Sequence, residues 1–269
     1  MPSRFLHRNR VLSLLNLLVI VLFLPISGYP QGSGHFDAGL AAQEHGDFDV
    51  AIERYTLAIK GGDLSTQYLA DAYNNRGIAY AAKGDNDRAI QDYNEAIRLN
   101  PNDAEAYIGR GIAYNNKGEN DLAIQDYDEA VRLNPNDALA YNNRGHAYRS
   151  KGDTDRAIQD FNEAIRLNPN YALAYTNRGI AYRTKGDSDR AIQDYNEAIR
   201  LNPKNAGAYS SRGRTRFALA QFQAAQEDFK KALELNATSP YSAIWLYLAR
   251  ARAGQPVAAT TLAGKFFHN

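Results

Sequence analysis

The sequence has no cysteine among its 269 residues, and this absence excludes several classes of function. Without thiols the chain forms no disulfide framework, no thiolate metal site and no cysteine nucleophile, and it carries no lipid attached through a thiol. An excess of charge is also missing, because 31 basic residues accompany 30 acidic ones. A nucleic-acid-binding protein needs a basic face. The balanced charge therefore argues against a nucleic-acid partner.

Histidines and catalytic motifs are scarce. Of the 5 histidines, only His146 lies between residues 70 and 239, and no two histidines have the spacing of metal ligands. There is no G-x-S-x-G motif, and the stretch "GSGHFDAG" has neither the strand nor the spacing of a phosphate-binding loop. The sequence therefore predicts a protein that is not an enzyme, with no catalytic residues, no metal site and no cofactor.

Long apolar runs are missing except near the N-terminus. There the basic stretch "RFLHRNR" precedes "VLSLLNLLVIVLFL", and Pro25, Ser27 and Gly28 follow. Because this run is too short to cross a bilayer comfortably, residues 1–28 read as a secretory signal peptide cleaved after Gly28. Tyr29 stands where a bacterial lipoprotein would need cysteine. We therefore predict an exported, periplasmic protein; the alternative is an uncleaved segment that anchors the chain in the inner membrane.

Repetition dominates the remainder of the chain. The stretch "RAIQDYNEAIRLNP" occurs identically at residues 88–101 and 190–203, and four prolines recur at intervals of 34 residues. This period divides the chain into five units, which are residues 70–103, 104–137, 138–171, 172–205 and 206–239. A degenerate copy covers residues 32–65, four inserted residues (66–69) follow it, and residues 240–269 form a truncated terminal unit.

We number the places of a unit from 1 to 34, so that its last residue occupies place 34. Places 4, 8 and 11 share one stripe of a first helix, and places 20, 24 and 27 share one stripe of a second helix. Glycine at place 8 and alanine at place 20 let the two backbones approach, while aromatic residues at places 4, 11 and 24 fill the adjacent space. Two short helices do not bury such stripes alone, so the units must stack.

This set of residues, together with proline at place 32, resembles the tetratricopeptide repeat (TPR). The resemblance covers about residues 32–255. It implies an all-α fold, a right-handed α-solenoid or superhelix of helix-turn-helix hairpins. The stretch "WLYLARARAG" that follows the regular units is similar to the corresponding segment of bacterial periplasmic TPR proteins.

Arginine at place 7 and aspartate at place 23 accompany each other in all five units. We expect a structural ion pair between the two helices of each hairpin, with the arginine stem packed over the next repeat. A binding site does not need to recur identically in five units, so an anion-binding role for these arginines is less consistent with the pattern.

Differences between the units gather on places 2, 5, 9, 12 and 13, which cover about a quarter of the first helix's circumference. In TPR proteins that face lines the concave groove that binds ligands. The alternative is drift on a solvated face, although the solvated side of the second helix varies little. The candidate ligand-groove residues, including the asparagines at place 6, are Asp71, Asn74, Asn75, Glu105, Asn115, Asn116, Asn142, Asn143, His146, Arg149, Thr176, Asn177, Arg183 and Arg214.

The place-6 asparagines match those with which chaperone-adaptor TPR domains hold a peptide backbone, but the lysines and arginine of their carboxylate clamp are absent. We predict instead an extended peptide whose acidic segment lies near Arg149, Arg183 and Arg214, and whose basic end lies near Asp71 and Glu105. The resulting hypothesis is a non-enzymatic protein-interaction scaffold or adaptor of the bacterial cell envelope.

Two alternatives stay open at this point. One is self-assembly into a homo-oligomer through the truncated last unit and its apolar "KFF" end. The other is a carbohydrate- or peptidoglycan-binding module, for which only Phe217 is a suitable groove aromatic.

Overall fold

The computed structural model describes residues 33–236 and 239–255, which form thirteen α-helices and no strand. The predicted signal peptide and most of the predicted terminal segment after Gly254 lie outside these residues. Within the described ranges no helix is both long enough and apolar enough to span a bilayer. The chain divides into two compact units, one ending at Pro135 and one beginning at Asn136.

The first compact unit consists of three antiparallel hairpins. Its helices are α1 (Ser33–Glu44), α2 (Phe48–Gly61), α3 (Thr66–Ala82), α4 (Asn86–Leu99), α5 (Ala104–Asn116) and α6 (Asn120–Leu133). Each hairpin packs its two helices together, and α2 and α4 also pack against the first helix of the following hairpin. Residues 66–69, which the sequence analysis treats as an insertion, form the first turn of α3 after the N-cap Ser65.

The second compact unit has three hairpins and one further helix. Its helices are α7 (Ala138–Ser150), α8 (Thr154–Leu167), α9 (Ala172–Thr184), α10 (Ser188–Leu201), α11 (Ala206–Ala218), α12 (Phe222–Leu235) and α13 (Pro240–Arg252). The first helices also contact one another, α7 with α9, α9 with α11 and α11 with α13. Both compact units are therefore all-α solenoids of helix hairpins, the fold class that the sequence predicts.

The turn inside each hairpin follows from two adjacent residues. Gly186 at place 15 has a φ of 84°, a left-handed conformation that glycine adopts without a steric penalty. Asp187 at place 16 then caps α10 by accepting a hydrogen bond from the backbone N–H of Arg190 at 3.0 Å. Gly84 and Gly152 make the same turn in their own hairpins. The "KGD" stretch thus ends one helix and begins the next.

Ala220 is the exception among these turns. It occupies place 15 of the last regular hairpin and has a φ of 58°, the only positive φ of a non-glycine residue in the described chain. The left-handed conformation costs alanine about 1 kcal/mol. The next residue, Gln221, provides no side-chain cap for α12. This turn is therefore the least favourable of the hairpin turns.

The interior of each hairpin is a contact between glycine at place 8 and the aromatic ring at place 24. A β-carbon on Gly179, for example, would lie 2.7 Å from Cε1 of Tyr195. The six hairpins repeat this contact at 2.6–3.0 Å. The rings involved are at most 1% exposed, and they are Tyr55, Tyr93, Tyr127, Phe161, Tyr195 and Phe229. The predicted packing role of the place-24 aromatics is confirmed.

The predicted ion pairs are also confirmed. In all five units the place-7 arginine contacts its place-23 aspartate, with Nη2–Oδ1 distances of 2.6–2.7 Å. The arginines also contact the preceding repeat, and the packing of their stems over the next repeat stays a prediction. Arg178 donates through Nη1 to Asn162 of the preceding repeat at 2.8 Å, and Arg110 and Arg212 do the same. The second helix of the preceding hairpin lies against these first helices, so it supplies the acceptor.

Exposed ion pairs join successive repeats at a second position that the sequence analysis missed. The lysine at place 14 pairs with the aspartate at place 18 of the preceding repeat, as in Lys117 with Asp87 at 2.9 Å. The same contact joins Lys83 to Asp49 and Lys185 to Asp155. These pairs are largely exposed and add little stability individually.

Candidate ligand-binding face

We call the side of the first helices that carries places 2, 5, 9 and 12 the ligand face. In the first compact unit the polar residues on α3 are mostly committed to the fold. Asp71 accepts a hydrogen bond from Gln67 at 3.1 Å, and Asn74 and Asn75 are buried. The Oδ1 atom of Asn74 is buried without a hydrogen-bond partner. The α3 part of the predicted site therefore offers few polar atoms to a ligand.

The α5 residues contribute equally little. Glu105 lies in the first turn of α5, and both it and Asp71 already interact with other groups of the protein. Asn115 also has an interaction partner, and Asn116 donates to Oδ1 of Asn86 at 3.3 Å. Neither acidic residue is therefore a free carboxylate, and the docking of a basic peptide end there stays a prediction.

In the second compact unit the residues at places 5 and 6 join neighbouring helices. Asn177 on α9 donates to Oδ1 of Asn142 on α7 at 2.9 Å, and both side chains are buried. Thr176 accepts from Asn205 at 3.3 Å and donates to the carbonyl of Ala172. These polar groups bind one another, so they are not exposed contacts for a peptide backbone.

Asn143 is the remaining place-6 asparagine of the second compact unit. Its Oδ1 accepts from Nδ2 of Asn142 at 3.3 Å, whereas its own Nδ2 is buried without a hydrogen-bond partner. A buried amide donor without an acceptor is uncommon. Asn143 therefore retains an unpaired amide nitrogen, although its amide oxygen is already bound within the protein.

Three predicted arginines behave differently. Arg149 on α7 and Arg183 on α9 occupy place 12, and Arg214 on α11 occupies place 9. All three are half-buried, and the Nε atom of each is buried without a hydrogen-bond partner. No carboxylate in the described ranges pairs with any of them. Nη2 of Arg214 donates to Oγ of Ser211 at 3.3 Å.

The pKa values of Arg149 and Arg214 are shifted in the opposite direction from that of the structural arginine Arg178. Burial lowers the pKa of Arg149, and the positive charge of Arg183 lowers it further. The same two causes lower the pKa of Arg214. At Arg178 burial acts in the same direction, but the hydrogen bonds and charge of Asp194 raise its pKa above the ordinary value. Arginine stays protonated at neutral pH. The ligand face of the second compact unit therefore carries an uncompensated positive charge.

The hydroxyl of Tyr195 lies among the three arginines. Its ring is fully buried at place 24 of α10, and its hydroxyl oxygen has no hydrogen-bond partner. Arg183, Thr215 and Arg214 are polar neighbours of this hydroxyl, and Arg149 also interacts with Tyr195 electrostatically. Burial raises the pKa of Tyr195, so the phenol is neutral. The sequence analysis assigned this tyrosine to packing alone and missed its polar atom.

His146 lies one helical turn before Arg149 on α7. Burial lowers the pKa of its imidazole, and the charge of Arg149 lowers it further. The side chain therefore is neutral at neutral pH, and it adds no charge to the arginine cluster. Its other polar contacts are already made within the protein.

The face of α13 that corresponds to the ligand face is apolar. Tyr241, Ile244 and Leu248 occupy places 2, 5 and 9 of the sixth phase, and they are 74%, 47% and 38% exposed. Phe217, the aromatic residue on which the carbohydrate alternative depended, packs instead against Phe222 and Trp245 with ring centroids 5.3 and 5.2 Å apart. It is therefore a core residue and not a stacking surface for a sugar.

Comparison with family models agrees with this geometry. Models described as tetratricopeptide repeat match residues 36–104, 74–138, 126–159, 172–205 and 206–239, and a model described as TPR repeat matches residues 145–186. The chain belongs to the tetratricopeptide repeat family.

Individual TPR proteins resemble parts of the chain. The photosystem I assembly protein Ycf3 of Synechococcus sp. (strain CC9605) is 35% identical over 85 residues, 31% of this chain and 49% of that protein. The chain thus spans about half the length of the curated relatives it matches. The crystal structure of MamA is 33% identical, with a TM-score of 0.53, and the match covers 60% of this chain and 94% of MamA.

A TPR protein from Parabacteroides merdae is similar over a longer stretch. It is 25% identical with a TM-score of 0.65, and the match covers 81% of this chain and 84% of that protein. Among the described residues of this TPR chain, no group of histidine, aspartate and glutamate side chains is arranged to hold a metal ion.

Proposed function

We propose that this TPR protein is a non-enzymatic adaptor that binds an extended peptide segment of a protein partner on its ligand face. The observation that carries the proposal is the cluster of Arg149, Arg183 and Arg214, three half-buried cations without a carboxylate partner. The partner segment is acidic. The relative Ycf3 is a photosystem I assembly protein, and this supports a role in protein association.

Electrostatics supports an acidic ligand. A buried charge without a partner is unfavourable, and a carboxylate that approaches it supplies a charge-assisted hydrogen bond as well as Coulomb attraction. The chain already uses this combination at place 7, where every arginine has its aspartate. At places 9 and 12 of the second compact unit the arginines are present and the carboxylates are not. A peptide with aspartate or glutamate side chains would provide them.

The location that we propose is the bacterial cell envelope. Residues 1–28 support it, because a basic segment, an apolar run and small residues follow one another there in the order typical of a signal peptide. Export would place the ligand face in the periplasm, where segments of envelope proteins are its partners.

Charge reversal of the cluster is the direct test. We expect the double variant Arg149→Glu/Arg183→Glu to bind an acidic peptide at least tenfold more weakly than the unaltered protein, because attraction becomes repulsion. The probe is a set of fluorescent peptides of about ten residues with three to five acidic side chains, measured by fluorescence anisotropy at low and high salt. Tight binding should weaken as the salt concentration rises.

The matched control is Arg166→Glu/Arg200→Glu. It changes the net charge by the same amount, but these arginines lie on second helices and are 63% and 66% exposed. Peptide binding that responds equally to both double variants would show only a long-range effect of net charge. Binding that is unchanged by Arg149→Glu/Arg183→Glu would refute the proposed function.

Self-association is a second candidate, and the exposed apolar side chains of α13 favour it. If α13 joins two copies, the double variant Ile244→Ser/Leu248→Ser should be monomeric in multi-angle light scattering, while the unaltered protein has the mass of a dimer or larger. A monomeric mass for the unaltered protein across the micromolar range would exclude this role. The arginine variants should leave the mass unchanged in either case.

A further inference from the structure

We propose that the hydroxyl of Tyr195 and the guanidinium groups of Arg149, Arg183 and Arg214 form an oxyanion pocket. The pocket takes one carboxylate of the peptide that binds the ligand face. The choice of a peptide ligand rests on the proposed function, whereas the pocket itself rests on the geometry of these four side chains.

Tyr195 is placed by the packing of the hairpin. Its ring lies against Gly179 on α9, and a β-carbon there would be 2.7 Å from the ring atom Cε1. The neighbours of its hydroxyl are Arg183 in the last turn of α9 and Arg214 and Thr215 on α11. A rigid, fully buried ring thus carries a polar atom to the arginine cluster.

The guanidinium groups at this point only donate, whereas the hydroxyls of Tyr195 and Thr215 can also accept. Thr215 donates its own hydroxyl proton to the carbonyl of Ser211 at 3.0 Å, and Arg183 and Thr215 are the hydrogen-bonding neighbours of the Tyr195 hydroxyl. Guanidinium groups have no acceptor. The Nε atoms of the three arginines have no acceptor among the described residues, and the arginines and the Tyr195 hydroxyl lie near enough to influence one another electrostatically. An oxyanion supplies several acceptor sites and a negative charge at once.

The side-chain nitrogen Nε of each arginine and the hydroxyl oxygen of Tyr195 are buried without a hydrogen-bond partner. Buried polar groups in native proteins normally have partners, so these four atoms on neighbouring helices are exceptions. The unpaired donors are the observation that indicates a ligand.

Other hairpins show that packing does not require this arrangement. Phe161 and Phe229 fill place 24 equally well without a hydroxyl, each with an exposed fraction of 0%. Tyr93 has the hydroxyl, but place 12 of α3 is Ala81 and place 9 of α5 is Ile112, so no arginine stands at these places beside it. Only at Tyr195 does a place-24 hydroxyl lie among Arg149, Arg183 and Arg214.

The chain itself suggests the test variants. Tyr195→Phe removes only the hydroxyl, and Phe161 shows that the hairpin accepts phenylalanine. Arg214→Ile introduces the residue that α9 carries at the same place, Ile180. Tyr93→Phe is the matched control, because it removes an equally buried tyrosine hydroxyl away from the arginines. Circular dichroism spectra should show that all three variants fold.

The first probe is inorganic sulfate. We expect sodium sulfate to raise the melting temperature of the full-length protein beyond sodium chloride at equal ionic strength, because an anion bound only by the folded state stabilises it. Sulfate also stabilises proteins without a site. The relevant quantity is therefore the difference between variants: Tyr195→Phe and Arg214→Ile should lose about tenfold in sulfate affinity, while Tyr93→Phe should not change.

The second probe is the acidic peptide from the charge-reversal experiment, with a free or an amidated C-terminus. Loss of affinity in Tyr195→Phe with both forms identifies a side-chain carboxylate, and loss with the free form alone identifies the terminal carboxylate. Equal binding of sulfate and of both peptides by Tyr195→Phe and Tyr93→Phe would overturn the pocket.

These results separate the two proposals. If Arg149→Glu/Arg183→Glu weakens peptide binding while Tyr195→Phe changes nothing, the pocket is wrong and the adaptor function stands. If sulfate binding depends on Tyr195 and no acidic peptide binds, the pocket stands and the proposed peptide function fails.

Discussion

Asp194→Ala is expected to lower the free energy of unfolding by about 3 kcal/mol. The substitution removes the two carboxylate oxygens that accept from Nε and Nη2 of Arg178 at 2.9 and 2.7 Å, and it leaves only the neutral acceptor Asn162. The side chains of Arg178 and Asp194 are only 20% and 8% exposed, so the freed guanidinium stays in a site that water reaches poorly. The cost arises mainly from this unpaired buried charge. Urea denaturation followed by circular dichroism measures it.

Glu197→Ala is the control in the same helix. Glu197 pairs with Arg200 at 2.6 Å, but on the surface, where the two side chains are 33% and 66% exposed. Solvent replaces that interaction, so no measurable change in stability is expected. If Asp194→Ala and Glu197→Ala had the same small effect, the place-7 pairs would not be structural.

Gly213→Ala is expected to destabilise the protein by about 2 kcal/mol, although alanine is the better helix former. A β-carbon at Gly213 would lie 2.8 Å from Cε1 of Phe229, whose ring is completely buried. Because the ring is completely buried, α11 and α12 must separate slightly to admit the methyl group. The urea midpoint of the variant reports the change.

Gly207→Ala in the same helix should have the opposite sign. The nearest atom to its added methyl group is Oδ1 of Asn205 at 3.3 Å, and Gly207 is exposed. The gain in helix propensity should therefore raise stability by about 0.5 kcal/mol. Destabilisation of similar size by both substitutions would show that the place-8 contact is not special.

The repeated residues allowed the fold to be predicted from the sequence. The same three residues recur in five units: glycine at place 8, alanine at place 20 and an aromatic ring at place 24. Their joint recurrence indicates that they pack together, and the structure shows the contact between the glycine and the ring. The ion pair at places 7 and 23 was predictable for the same reason, because its members recur together. The cross-repeat contact of lysine at place 14 was less visible, since its partner belongs to the preceding copy.

The candidate site was only partly predictable. The variable places pointed to Arg149, Arg183 and Arg214, but variation does not distinguish a side chain that faces a ligand from one that joins two helices. Asn142, at the variable place 5, is of the second kind, because it accepts a hydrogen bond from Asn177 of the next repeat at 2.9 Å. Burial depends on the distance between neighbouring helices, which one-letter patterns do not contain.

Tyr195 was missed for a related reason. A tyrosine at place 24 has two parts with different environments, and the repeat pattern records only the ring. Phe161 and Tyr195 are equivalent as packing residues, so a change between them reads as a conservative substitution. The sequence did contain a signal for this position. The unit of Tyr195 follows a unit with Arg149 at place 12 and precedes a unit with Arg214 at place 9.

The left-handed conformation of Ala220 makes local unfolding easier in one hairpin than in the others. Its strained turn and the missing side-chain cap at Gln221 make the hairpin of α11 and α12 the one expected to exchange its amide hydrogens earliest among those of the second compact unit. That hairpin carries Arg214. A ligand that bridges Arg214 to Arg183 would therefore connect the least stable hairpin to its more stable neighbour. Amide hydrogen exchange in α11 and α12 would then be slower in the complex than in the free protein.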